Sequence, residues 1–189
     1  MAQQLSGGDF YASLRSHTAA RRTRLNIEGA VVHGDWLRLL QRGIGKPGSG
    51  SWNAILDISL NRFLGWLDGR NPLPSVRRIL EVDLGAVAGV PFGFTDAAVT
   101  DDGRVALLAC AEDTDDVLID GPVLGCRFGW LDPDDQAAVM TTVVDSDGQP
   151  TRLKLEGIET RIDSGSVFDV VADMDRGDEP AQIAELVVR

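Results

Sequence analysis

The sequence predicts an all-β fold of three β-propeller blades, each a sheet of antiparallel strands. Three observations predict it. Apolar runs of five to nine residues alternate with turns rich in Gly, Asp and Pro. An acid followed by a tiny residue opens three similar stretches: Glu28-Gly29 in LNIEGAVV, Asp96-Ala97 in FGFTDAAV and Glu156-Gly157 in LKLEGIET. These acids stand 68 and 60 residues apart, a period that suits one four-stranded blade.

Composition bounds the possibilities. A chain of 189 residues, 43% apolar and 25% charged, is long enough to bury a core. Its formal net charge of −11 repels phosphate backbones and excludes nucleic acid as a natural partner. Cations and cationic surfaces suit it better, and the charge also serves solubility. The N-terminus MAQQLSGGDF lacks the basic start and apolar stretch of a signal peptide, and no run of 18 apolar residues occurs. The expected location is therefore the cytoplasm. Cys110 and Cys126 show no C-x-x-C spacing and are expected to be reduced, buried thiols.

The elements follow in order. Residues 1–24 form an N-terminal helix and linker, with a helix over 9–22 capped by Asp9 and carrying Phe10, Leu14 and His17 at helical spacing. Blades are expected at about 25–91, 92–152 and 153–189. Each begins with its acid-bearing strand. Each then turns at HGD, DDG or DSG, sequences that tolerate the positive φ of a tight hairpin. Second strands are WLRLLQRG, RVALLACAE and SVFDVVAD; third strands are WNAILDISL, GPVLGCRFGWLD and AQIAELVVR. Fourth strands are expected at 76–84 and 136–144 in the first two blades alone. Three blades are half of a six-bladed ring, because propellers have four or more. Homodimerisation would close it; another subunit or a longer parent chain would serve as well. Trp36, Trp52, Trp66 and Trp130 are expected to pack between blades.

The stretches LNIEGAVVHGDWLRLLQRG, PFGFTDAAVTDDGRVALLACAED and DGPVLGCRFGWLD resemble uncharacterised bacterial six-bladed propeller proteins. These are similar in turn to the esterase-like phytase and SdiA-regulated groups. The resemblance spans about residues 10–189 and corresponds to the C-terminal half of such a protein. It implies a propeller fold and phosphoester or lactone hydrolysis at a metal site.

First strands line the central channel of a propeller, so Glu28, Asp96 and Glu156 would converge on an acidic axis. Converging carboxylates need raised pKa values, a bound cation or hydrogen-bond donors. Hard oxygen ligands suit Ca²⁺ or Mg²⁺, and no organic cofactor is indicated. The alternative is that these acids latch one blade to the backbone N–H groups of the next. Arg42, Glu112, Asp113, Asp173 and Asp175 lie near the ends of second strands and would shape the channel mouth, with Arg42 pairing an acid or holding an anion. The loop RGIGKPGSGSW has Leu40 and Pro47 where a phosphate loop needs Gly and Ser or Thr; Lys46 could still touch an anionic ligand there. His17 and His33 read as ordinary histidines. Three readings remain: a ligand- or cation-binding scaffold, a metal-dependent hydrolase, and a protein-interaction platform.

Overall fold

The computed structural model describes residues 7–20, 24–43, 52–114, 121–132, 138–161, 164–174 and 179–188. The fold is all-β in its organisation, with two helices. Helix α1 (Gly8–Ala20) precedes strands β1 (Ile27–His33), β2 (Trp36–Gln41) and β3 (Ala54–Ser59). Helix α2 (Leu60–Leu67) leads to β4 (Arg78–Glu81) and a small hairpin, β5 (Ala86–Val87) and β6 (Val90–Pro91). Then come β7 (Gly93–Val99), β8 (Val105–Glu112), β9 (Val123–Leu131) and β10 (Ala138–Thr142). Strands β11 (Lys154–Thr160), β12 (Val167–Asp173) and β13 (Gln182–Val187) complete the order.

Strands consecutive in sequence pair with one another. The first sheet runs β1-β2-β3-β4 and the second β7-β8-β9-β10; the third runs β11-β12-β13 and has three strands among the described residues. Every pairing is antiparallel. Strands consecutive in sequence are commonly neighbours in space, as each here folds back on the one before it. The turns at HGD and DDG place Gly34 and Gly103 at φ 57° and 82°, the left-handed backbone those residues were expected to supply.

The first strand of each sheet holds the stack together, because β7 lies against β1 on one side and β11 on the other. Two apolar layers result. One joins the first and second sheets through Leu40, Ile55, Phe94 and Leu107. The other joins the second and third through Leu108, Phe128, Ile158 and Phe168. Leu107 and Leu108 are neighbours in β8, both 0% exposed, and they serve opposite layers. A strand covered on both faces reads as a continuous apolar run, which is why VALLACA shows no alternation.

A third layer lies on the far face of the first sheet. There Phe10 and Leu14 of α1 meet Leu39, Leu56 and Ile58, with Phe63 and Trp66 of α2 packed alongside. Helix α1 runs from Gly8 to Ala20, which puts Asp9 inside its first turn and not before it. The sequence reading assigned no helix to α2 and ran the third strand to Leu60. The 3.6-residue spacing of Leu60, Phe63, Leu64 and Leu67 was hidden behind the apolar run that precedes it.

Two further expectations are corrected. Cys110 and Cys126 form a disulfide, with their Cα atoms 4.1 Å apart. They stand directly opposite on β8 and β9, where a cross-strand pair comes close enough to bond. Of the tryptophans, Trp130 packs between sheets against Phe128 and Phe168. Trp52 and Trp66 belong to the layer under the helices, and Trp36 lies 6.0 Å from the guanidinium carbon of Arg78 in its own sheet. Among the described residues, no helix is long and apolar enough to cross a membrane.

Candidate functional site

All three first strands carry a β-bulge at the same point. In β1 the pairing skips from Ile27 to Gly29, in β7 from Phe94 to Asp96, and in β11 from Leu155 to Gly157. The extra residue is thus Glu28, Thr95 and Glu156 in turn. Asp96 stands one place later, level with Gly29 and Gly157. Matching acid to acid slid the second repeat by one residue, because a bulge breaks the period of two that normally fixes register.

That one-residue step decides what each acid does. Asp96 reaches across to the third sheet, where its Oδ2 accepts the backbone N–H of Ile158 at 3.0 Å. On its other side is Gly29 of the first sheet. A Cβ at Gly29 would lie 3.0 Å from Asp96 Oδ1 and 3.1 Å from its Cα. Glycine therefore gives the carboxylate its space. Burial pushes the pKa of Asp96 upward; the N–H groups of Ile158 and Ala97 pull it down less strongly, and the charge of Glu159 adds to the rise. Asp96 is the inter-sheet latch that was the alternative to a cation site.

Glu156 follows another course. Its Oε1 lies 3.1 Å from Lys154 Nζ, and Lys154 Nζ lies 3.9 Å from Glu112 Oε2. The other oxygen of Glu112 accepts from Arg42 Nη2 at 2.5 Å. A chain of alternating charge thus runs Arg42–Glu112–Lys154–Glu156 and links all three sheets. Three of its members are nearly dry: the side chains of Glu112, Lys154 and Arg42 are 4%, 7% and 11% exposed, while Glu156 is 38% exposed. Opposite charges offset the desolvation each would otherwise suffer. Arg42 lies over Gly93, where a Cβ would come 2.7 Å from its Cγ.

The predicted mouth residues are therefore partly assembled. Arg42 and Glu112 meet at the rim where second strands end and first strands begin. Asp173 is at the same rim, opposite Lys154 in the ladder. Asp113 is exposed there, its N–H bonded to the carbonyl of Pro122. Glu28 is exposed on β1 and does not join the network. Lys46 and Asp175 lie outside the described residues. Among the described residues, no three His, Cys, Asp or Glu side chains are grouped so as to hold a metal ion.

Sequence reasoning missed several members. Lys154 is one. A second charged row, Arg38–Asp57–Arg78, crosses β2, β3 and β4 in register. Arg78 Nη2 is 2.6 Å and Arg38 Nε 3.6 Å from the Asp57 carboxylate, which is fully buried. One charge inside each of two apolar strands, WLRLL and AILDIS, with opposite signs, is the signal that marked this pair. Thr95 is 2% exposed, and its hydroxyl has no hydrogen-bond partner among the described residues. His33 donates from Nε2 to the carbonyl of Gly103 at 3.0 Å, tying the first hairpin to the second.

A sizeable opening lies elsewhere, between the outer strands of the second and third sheets. β10 and β13 flank a cleft of about 660 Å³, floored by Phe128, Leu155 and Val170 and walled by Val143, Val144 and Leu186. Asp145 and Glu185 lie along it, but the Glu185 side chain is ion-paired with Arg161 at 2.7 Å and Asp145 Oδ1 accepts the backbone N–H of Gln149. Among the described residues, β13 is an edge strand of the third sheet. Val139 of β10 and Ile183 of β13 are 72% and 77% exposed.

Comparison with known proteins places the chain in one family. No curated protein and no solved structure matches it. Residues 1–179 match a family of unknown function, DUF6910, and the chain belongs to that family.

Proposed function

We propose that the three sheets are propeller-type blades and that the chain is a non-catalytic scaffold that binds polypeptides at its third blade. Repetition supports the blade reading: each sheet pairs its strands in sequence order, carries its bulge at the same point and meets its neighbours through its first strand. The axial carboxylates support a scaffold over a hydrolase. Asp96 is spent on a backbone N–H, and Glu112 and Glu156 on Arg42 and Lys154.

The observation that carries the binding function is the open cleft between β10 and β13. It is concave, apolar at its floor and of ligand-binding size. The test is an array of unstructured peptides probed with the wild-type chain and with Val144→Lys. Val144 is 52% exposed and lines the cleft, so the substitution alters the surface and spares the fold. Peptides that bind wild type and lose the variant support the reading. Binding indifferent to Val144→Lys, or turnover of phosphoesters or lactones, overturns it.

A further inference from the structure

We propose that a second opening, between helix α1 and the start of β1, is a binding site for a small carboxylate with an apolar body. The opening measures about 530 Å³, within the range of ligand pockets. On the helix it is lined by Tyr11, Arg15 and Thr18, the i, i+4 and i+7 positions of one face. The rest of the lining is the chain from Arg24 to Ile27, which leads into β1. Among the described residues, two arginines and no acid line it, in a chain of net charge −11. None of these residues lines the cleft between β10 and β13, so the two sites are separate.

The donors of this lining are free and their backbone is fixed. Arg15 and Arg24 are exposed and make no ion pair among the described residues, and the side-chain amide of Asn26 makes no hydrogen bond there. Gln41, 0% exposed, holds the backbone that carries two of them. Its Nε2 donates to the carbonyl of Arg24 at 3.1 Å, and its Oε1 accepts the N–H of Asn26 at 2.9 Å. A guanidinium is a planar fork of donors that matches a carboxylate. Leu25 and Ile27 pack against the third apolar layer, and with the half-exposed ring of Tyr11 they offer an apolar surface to the body of the ligand. Charge at the helix end selects the head group. Thr18 is in the last turn of α1, where the carbonyls carry the negative end of the helix dipole. That field opposes a doubly charged phosphate more than a singly charged carboxylate. The Thr18 hydroxyl already donates to the carbonyl of Arg15 at 3.1 Å, which leaves the recognition to the arginines and Asn26.

Isothermal titration calorimetry on the whole chain tests the site with three probes that share one apolar body: octanoate, octylamine and octyl phosphate. Octanoate should bind. Arg15→Gln and Arg24→Gln should each weaken it at least about tenfold, the loss expected when a hydrogen bond to a charged group is removed. Both arginines are exposed, so the substitutions spare the fold, and thermal melts of the variants check this. Arg62→Gln removes the same charge from an exposed position on α2 outside the opening, and it should bind like wild type. Octylamine should bind at least about tenfold more weakly than octanoate, because the arginines repel its ammonium group. Absence of octanoate binding at millimolar concentration overturns the proposal, as does binding left unchanged by either Arg15→Gln or Arg24→Gln. Equal weakening by Arg62→Gln overturns it too, since net charge and not the site would then be read. Octylamine binding as tightly as octanoate would leave an apolar surface without head-group recognition, and the proposal falls. Octyl phosphate binding about tenfold tighter than octanoate overturns the choice of carboxylate. The peptide array and its Val144→Lys variant report on the other cleft, so the scaffold reading stands or falls separately.

Discussion

Asp96 on β7 accepts the backbone N–H of Ile158 on β11 at 3.0 Å, and the room it needs is the side chain that Gly29 lacks. Gly29→Ala should therefore destabilise by about 1–3 kcal/mol, since the new methyl presses on the Cα of Asp96, which cannot swing away. Gly157→Ala is the contrast. Its Cβ would sit 3.5 Å from Val171 and 4.0 Å from Asp96 Oδ2, ordinary contacts, so the change should stay within about 0.5 kcal/mol. Urea denaturation of the two variants measures the difference.

Burial raises the pKa of Asp96, and this gives stability a defined pH trend. Below about pH 3.9, the ordinary aspartate value, the side chain is neutral in both folded and unfolded chains. As pH rises, the unfolded chain loses the proton first, and the folded carboxyl holds it longer. The Asp96 contribution is thus present below the unfolded pKa and is lost as pH climbs through the folded one. Asp96→Asn keeps an acceptor for Ile158 and removes the titration. Denaturation from pH 3.5 upward (roughly the start of that window) should show wild type losing stability relative to Asp96→Asn. Parallel curves would refute the assignment.

Glu112 is the acid shared by Arg42 and Lys154, and its side chain is 4% exposed. Removing it leaves buried positive charge at the junction of the three sheets. Glu112→Ala should cost about 3–5 kcal/mol, as for one partner lost from a buried ion pair. Glu156→Gln alters the exposed end of the same chain and should cost about 1 kcal/mol or less. Thermal melts rank the two, and equal losses would contradict the burial argument.

The Cys110–Cys126 disulfide closes a loop with a sequence separation of 16. Loop-closure entropy assigns such a crosslink about 3 kcal/mol. The unfolding midpoint measured with a thiol reductant should fall accordingly. Denatured, unreduced protein should present no free thiol to a thiol-reactive dye.

Carboxylates already held by N–H and ammonium groups make poor ligands for a hard cation. Calcium or magnesium at millimolar concentration should leave the melting temperature of the chain unchanged. A clear rise, abolished by Glu156→Gln, would return Glu28, Asp96 and Glu156 to a metal site.

Strand order was legible from the sequence because turns and apolar runs are local signals; the second strand of each sheet was placed within two residues. Register was not. Asp96 looked like the counterpart of Glu28 until the bulges assigned that place to Thr95. The disulfide needed the same information. Cys110 and Cys126 oppose one another only in a particular register of β8 against β9, and the polar connection EDTDDVLIDGP is too long for a two-residue hairpin turn to set it from the sequence. Arg42 and Glu112 were found by their shared rim. Lys154 was missed because its meaning depends on Glu112, which is 42 positions earlier in the chain.

The shared bulge also governs how these strands tolerate shortening. At Glu28, Thr95 and Glu156 two residues face one partner, so each first strand holds one residue of slack. Losing that residue leaves a regular ladder, with every later side chain on its original face. Losing a residue beyond it, such as Ala97, forces all that follow to change sides. Length variation in these strands is therefore permitted at one site in each, and at the second of them Asp96 would keep its place opposite Leu108.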